Sequence, residues 1–253
     1  MATLYIDLGN SRTKFALKKR KYIDVIHVMP NAKWEDPDCL FFLEPLDAKI
    51  KVVYITSVAP KALESKVNKS LMEVLHLLPT YLQVQETCCG IKTNYQPFYS
   101  LGIDRWLSVL GAYHLYESDL TVIDLGTAIT SDTLVNKVHL GGFIAPGLLL
   151  QQQSIIEHTG IELDVPIEFK KEMDSDTFFS TDTASAILAG SHLMTVAYLN
   201  HLMNEIVHHF DQASHLFVLS GGDAPTIHKM LAFETVTEEN LVFEGMDYLI
   251  SQL

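Results

Sequence analysis

Leu4-Tyr-Ile-Asp-Leu-Gly-Asn-Ser-Arg-Thr-Lys14 and Thr121-Val-Ile-Asp-Leu-Gly-Thr-Ala-Ile-Thr-Ser131 are two versions of one pattern. In each, an apolar run enters Asp-Leu-Gly, a small polar residue follows, and a second strand-like stretch leaves. Asp7 and Asp124 stand 117 positions apart, close to half of the 253 residues. A repeat at this spacing predicts a duplicated fold with halves 1–117 and 118–253, the boundary falling near Glu117 to Leu120.

Outward from the repeat, each half mixes strands and helices, which predicts the α/β class. Val52 to Ser57 reads as a buried strand. Lys61 to Leu78 is a helix on the spacing of Leu63, Val67, Leu71, Val74, Leu75 and Leu78, stopped by Pro79. Asp104 to Tyr116 is a second helix. In the other half, Lys137 to Ile144 is a strand, Thr183 to Phe210 a long helix, and Leu216 to Leu219 a strand running into Ser-Gly-Gly-Asp. A last strand, Leu241 to Phe243, and a helix, Gly245 to Leu253, close the chain. No low-complexity linker separates the halves, so they are expected to pack with a cleft between them.

Composition narrows the function. Hydrophobic residues make up 48% and charged residues 19%, enough for a buried core. With 18 Lys+Arg against 31 Asp+Glu the net charge is −13, which disfavours nucleic acid and anionic membrane surfaces. An acidic chain that takes an anion must do so locally, with metal, backbone N–H groups and a few placed cations. Cys39, Cys88 and Cys89 make a poor disulfide framework and fit a reducing compartment. The first residues carry no basic segment leading into an apolar run, and the longest apolar stretch, Phe143 to Leu150, is far short of the roughly 20 residues that span a bilayer. A cytoplasmic location is expected. His201, His208 and His209 could share one helical face, and read better as solvated residues than as ligands.

The chemistry sits in the turns. Glycine lets the backbone approach an anion closely. Around Gly9, amides and hydroxyls of Asn10, Ser11 and Thr13 can donate to phosphate oxygens, Asp7 can hold a hydrated Mg2+, and Lys14 supplies a point charge. Asp124, Gly126, Thr127 and Thr130 read the same way. A single copy is better explained by a hairpin turn; two copies at half-chain spacing favour phosphate binding. Gly221 and Gly222 suit a nucleotide contact or merely a tight strand-to-helix turn. No P-loop or dinucleotide fingerprint occurs. Asp104, in Gly102-Ile-Asp-Arg105, reads either as a helix cap or as a general base taking the proton of an attacking hydroxyl.

Taken together, Asp7-Leu-Gly-Asn-Ser-Arg-Thr-Lys14, Gly102-Ile-Asp-Arg105, Asp124-Leu-Gly-Thr-Ala-Ile-Thr130, Gly141-Gly-Phe-Ile-Ala-Pro-Gly147 and Ser220-Gly-Gly-Asp-Ala224 resemble the ordered signature of type III pantothenate kinases. The resemblance runs through nearly the whole chain. It implies duplicated ribonuclease H-like domains of the actin-like ATPase type, and transfer of the ATP γ-phosphate to pantothenate. It implies that Asp7, Leu8, Gly9, Asn10, Ser11, Arg12, Thr13 and Lys14 form the first phosphate loop, with Thr127, Gly221 and Gly222 also on ATP. Asp104 would be the base, and Tyr95, Gly102, Ile103, Asp104, Arg105 and Thr183 would contact pantothenate. Asp124 would hold K+ or NH4+, Mg2+ would accompany ATP, and the chain would form a homodimer through the helix beginning at Thr183. Four details depart from the pattern: Phe179-Ser-Thr-Asp-Thr183 lacks a Gly-Lys pair, Ser220 replaces threonine, Pro97 comes one place earlier than expected, and Gln151-Gln-Gln-Ser154 is unusual. Another small-molecule kinase of the superfamily, or a non-catalytic regulator on the same fold, remains the alternative at this point.

Overall fold

A computed structural model describes residues 2–161, 163, 179–210 and 215–252. The elements run β1 (Ala2–Leu8), β2 (Arg12–Lys19), β3 (Tyr22–Pro30), β4 (Ile50–Ser57), α1 (Lys61–Leu75), β5 (Thr80–Tyr81), β6 (Thr87–Cys88), β7 (Ile91–Thr93) and α2 (Ile103–Tyr116). They continue with β8 (Leu120–Leu125), β9 (Ala128–Val135), β10 (Val138–Pro146), α3 (Leu148–His158), α4 (Thr183–Phe210), β11 (Leu216–Ser220), α5 (Ala224–His228), β12 (Val236–Thr237) and α6 (Leu241–Ile250). The chain divides into two compact units. One comprises Met1–Ser118, Leu134–Gly141 and Asn240–Leu253, the other Asp119–Thr133 and Gly142–Glu239.

The first unit is built on a sheet of order β3-β2-β1-β4-β5. β1 pairs antiparallel with β2 and parallel with β4. Its central strand β1 is buried on both faces, Leu4, Ile6 and Leu8 being fully enclosed, which is why Leu-Tyr-Ile-Asp-Leu reads as a continuous apolar run. Val67, Leu71 and Leu75 of α1 fill one side of that core. The helix ends at Leu75, three residues before the expected Leu78, because His76 adopts the left-handed conformation (φ 54°) and closes the last turn on Met72.

A second correction concerns the carboxy terminus. Leu241 to Phe243, expected as a strand, is the first turn of α6. The helix packs against α2, and it is pinned to the sheet by Asp247, which accepts from Tyr5 Oη at 2.7 Å and pairs with Lys18. Leu241, Phe243, Gly245 and Met246 are all buried, so the run is apolar without alternating.

The second unit repeats the plan. Its strands follow the order β12-β11-β8-β9-β10, the same sequence of neighbours as β5-β4-β1-β2-β3. β8 pairs parallel with β11, setting Asp124 beside Ser220, as β1 pairs with β4 and sets Asp7 beside Thr56. The two Asp-Leu-Gly turns therefore leave equivalent central strands. Leu199, Leu202, Met203 and Ile206 of α4 cover this sheet together with Leu148 of α3. His201, His208 and His209 lie on the exposed side of α4. The far end of the β9–β10 hairpin belongs to the first unit, where Val138 and His139 pair parallel with Lys92 and Thr93 of β7.

Candidate active site

α2 starts where its sequence says it should. Gly102 is the residue before the first helical turn, and a Cβ there would fall 2.6 Å from Asp104 Oδ1. The carboxylate folds back over that glycine and accepts the backbone N–H of Arg105 at 2.8 Å. The cap and base readings are thus compatible: Asp104 does the work of a cap and remains partly exposed.

Behind it, Arg105 is only 8% exposed and spends its guanidinium on Tyr95. Nη1 donates to Tyr95 Oη at 3.0 Å, and the guanidinium carbon lies 5.6 Å from the centre of the ring. Tyr95 stacks on His139 with ring centres 5.9 Å apart and planes 16° from parallel. His139 is fully buried, its Nδ1 lies 2.9 Å from Thr93 Oγ1, and the Trp106 ring lies against it at a 60° tilt, centres 5.9 Å apart. Of the residues expected on the acceptor, Tyr95, Gly102, Ile103, Asp104 and Arg105 come together here; Ile103 is buried and offers only its backbone. Thr93, Trp106 and His139 were not foreseen. No local signal could reveal them, since His139 arrives through the parallel pairing of β7 with β10, 46 residues from Thr93.

The first loop, between β1 and β2, has Asn10, Ser11 and Arg12 exposed. Asp7 is 8% exposed at the end of β1 and sits in register with Lys14 of β2 and Thr56 of β4, so the three side chains share one face of the sheet. Leu8 and Thr13, by contrast, are wholly buried. The Thr13 hydroxyl, expected to donate to phosphate, donates instead to Asn31 Oδ1 at 2.8 Å and accepts from Trp34 Nε1 at 2.9 Å. It shapes the loop from beneath. No cluster of three or more metal-ligating side chains exists among the described residues. That suits Mg2+, which takes one or two carboxylates and fills the remaining positions with water and phosphate oxygens. Thr56, in register beside Asp7, is fully buried, and its Oγ1 has no hydrogen-bond partner among the described residues.

In the second unit two backbone segments, one at Gly147 and one at Gly221 to Asp223, converge on Leu125 to Thr127. Gly147, which opens α3, donates its N–H to Thr127 O at 3.1 Å, and a Cβ there would lie 2.2 Å from Gly126 O. Gly221 has φ +91°, and a Cβ would meet the Leu125 carbonyl oxygen at 2.4 Å, so only glycine serves. Asp223 N–H then donates to Leu125 O at 3.1 Å. The arrangement leaves Thr127 and Gly222 exposed at the turn and Asp124 half-exposed at its base. Thr183 stands at the exposed first position of α4, preceded by Asp182, whose Oδ1 accepts the Ser185 N–H at 2.9 Å. That bond holds the Asp182 carboxyl below its usual range.

Comparison with known proteins agrees with this layout. A family model described as type III pantothenate kinase matches residues 3–205. A type III pantothenate kinase of Hydrogenovibrio crunogenus is 30% identical over 258 residues, covering 99% of each chain. Among solved structures, a Campylobacter jejuni protein described as a Baf family transcriptional activator superposes with a TM-score of 0.57 at 23% identity, over 98% of this chain and 97% of that one. A glucokinase from an Antarctic psychrotroph superposes with a TM-score of 0.50 at 11% identity, over 99% of both chains. The last two likenesses speak for the fold, that of the actin-like ATPases and sugar kinases. The match across most of the sequence means that the chain belongs to the type III pantothenate kinase family.

Proposed function

We propose the following division of labour for the ATP-dependent phosphorylation of pantothenate that family membership gives this chain. Asp104 takes the proton of the terminal pantothenate hydroxyl as its oxygen attacks the γ-phosphorus, and ADP leaves with the bridging oxygen. The observation that carries this role is the pinned, partly exposed carboxylate at the start of α2, backed by Arg105 and Tyr95. Tyr95, Gly102, Ile103, Arg105 and Thr183 bind and orient pantothenate. The loop from Asp7 to Lys14 receives the phosphates, with Lys14 as the point charge and Asp7 holding Mg2+ through water. When bound, Mg2+ neutralises charge on the β- and γ-phosphates. Thr127, Gly221 and Gly222 contact the nucleotide, and Asp124 holds K+ or NH4+.

The halves 1–117 and 118–253 each carry one Asp-Leu-Gly turn, and their matching strand orders support duplication as the origin of the two turns. The homodimer rests on α4: Leu193 and Met194 are 59% and 56% exposed, and Ala186, Gly190 and Ala197 lie on the same face. A cytoplasmic setting is supported by the free thiols of Cys39, Cys88 and Cys89. Among the described residues, no helix is long and apolar enough to cross a membrane.

The function is tested by measuring ADP formation from ATP and Mg2+ with and without pantothenate, and identifying the product by mass. Pantothenate-dependent ADP with equimolar 4'-phosphopantothenate is the expected result. ATP binding without turnover would favour the regulator, and turnover only with another acceptor would favour a different kinase.

A further inference from the structure

We propose that Asn31 is the positioning residue of the first phosphate loop, turning its amides toward the nucleotide; the proposal rests on the assignment of Asp7 to Lys14 to the phosphates. Asn31 follows β3 and opens a short 3₁₀ turn, Asn31–Glu35. Its Nδ2 donates to Gly9 O at 2.8 Å and to Asn10 O at 3.0 Å. Its own backbone N–H donates to Ser11 O at 2.9 Å, and its Oδ1 accepts the Thr13 hydroxyl at 2.8 Å. One residue therefore gathers three successive loop carbonyls and the buried hydroxyl beyond them.

The consequence follows from the trans peptide. In each planar unit the C=O of one residue and the N–H of the next point in opposite directions. Drawing the carbonyls of Gly9, Asn10 and Ser11 toward Asn31 turns the N–H groups of Asn10, Ser11 and Arg12 the other way. Those three residues are the exposed ones of the loop. Successive outward N–H groups make a concavity for an anion, while the carbonyl oxygens, which would repel a triphosphate, are held underneath. Asparagine suits the post because its amide has two donors and an acceptor at one short reach. Trp34 steadies the network by donating to Thr13 Oγ1 at 2.9 Å.

The test uses the full chain with ATP and pantothenate varied separately, and thermal melting alongside. Asn31→Ala is expected to raise the KM for ATP about tenfold, the loss of roughly two hydrogen bonds, and to leave the KM for pantothenate within about twofold. Trp34→Phe, which removes one supporting donor, should raise the ATP KM by about two- to threefold. Asn31→Asp keeps the acceptor for Thr13 but loses both side-chain donors and adds a negative charge, so its ATP KM should exceed that of the alanine variant; it also serves if the alanine variant does not fold. Ser11→Ala and Lys14→Ala probe the loop assignment itself. If those two leave the ATP KM unchanged, the assignment fails and the positioning role falls with it. If they raise it while Asn31→Ala and Asn31→Asp do not, or if the Asn31 variants raise both KM values alike, the positioning role alone is overturned.

Discussion

Replacing Gly245 by alanine strikes the tightest seam in the first unit. α6 lies so close to α2 there that a Cβ on residue 245 would sit 1.9 Å from the Leu107 carbonyl oxygen and 2.6 Å from its carbon. Carbon and carbonyl oxygen approach no closer than about 3.3 Å, so the overlap is about 1.4 Å and is between backbones, which have no rotamer to yield. α6 must shift by about 1 Å. Gaps of 0.5–1 Å forfeit roughly a quarter to a half of the dispersion contact at each buried side chain on the seam. Leu241, Phe243, Met246 and Leu249 are all at most 2% exposed. Overpacking of this kind typically costs 1–3 kcal/mol, and more for rigid neighbours; alanine returns about 1 kcal/mol of helix propensity. A net loss of about 2 kcal/mol is expected, lowering Tm by roughly 4–8 °C for a chain of this size. Circular-dichroism melts of wild type and Gly245→Ala read it directly. Gly111→Ala, whose Cβ would fall 2.3 Å from Leu241 O, should behave alike. A Tm within 1 °C of wild type for both variants would refute the close-packed seam.

Burial holds the His215 pKa below its usual 6.5, against a weaker opposite pull from Asp119. The unfolded chain then binds the proton first as pH falls, so the urea midpoint should decline as pH drops below about 6.5, and His215→Gln should flatten that decline; an unchanged slope would exclude His215 as its source. If Asp124 holds a K+-type ion, exchanging K+ for Na+ should depress turnover several-fold, and Asp124→Ala should abolish the difference; steady-state rates in the two salts decide it. Replacing both Leu193 and Met194 by glutamate should convert a dimer to a monomer by light scattering, whereas an unaltered mass would move the interface elsewhere.

Much of the fold was legible because its signals are local. The bounds of α4, Thr183 to Phe210, coincide with the reading, and α2 begins one residue before it, since long periodic segments announce themselves. The doubled Asp-Leu-Gly turn pointed to two equivalent central strands, and the strand orders match. The short run Leu241 to Phe243 misled because an apolar triplet fits a strand as well as a helix buried on two sides, and only its packing on α2 and β1 decides. At the site, spacing singled out the doubled glycine turns, whereas Asp104 read equally as a helix cap, its role as a base being what the resemblance implies. The residues that hold them were not legible: Asn31 reaches the loop across β2 and β3, and His139 reaches Tyr95 through a parallel strand pairing. Thr13 shows the reverse error, a hydroxyl in the right motif whose strand register turns it inward.

The proposed mechanism turns on Asp104 taking the pantothenate proton. The direct measurement is turnover of Asp104→Asn beside its affinity for ATP. The amide keeps size and helix position but cannot accept that proton. Turnover should fall by about two decades or more, with the ATP dissociation constant within about twofold and the melt unchanged. Wild-type turnover in that variant would contradict the account.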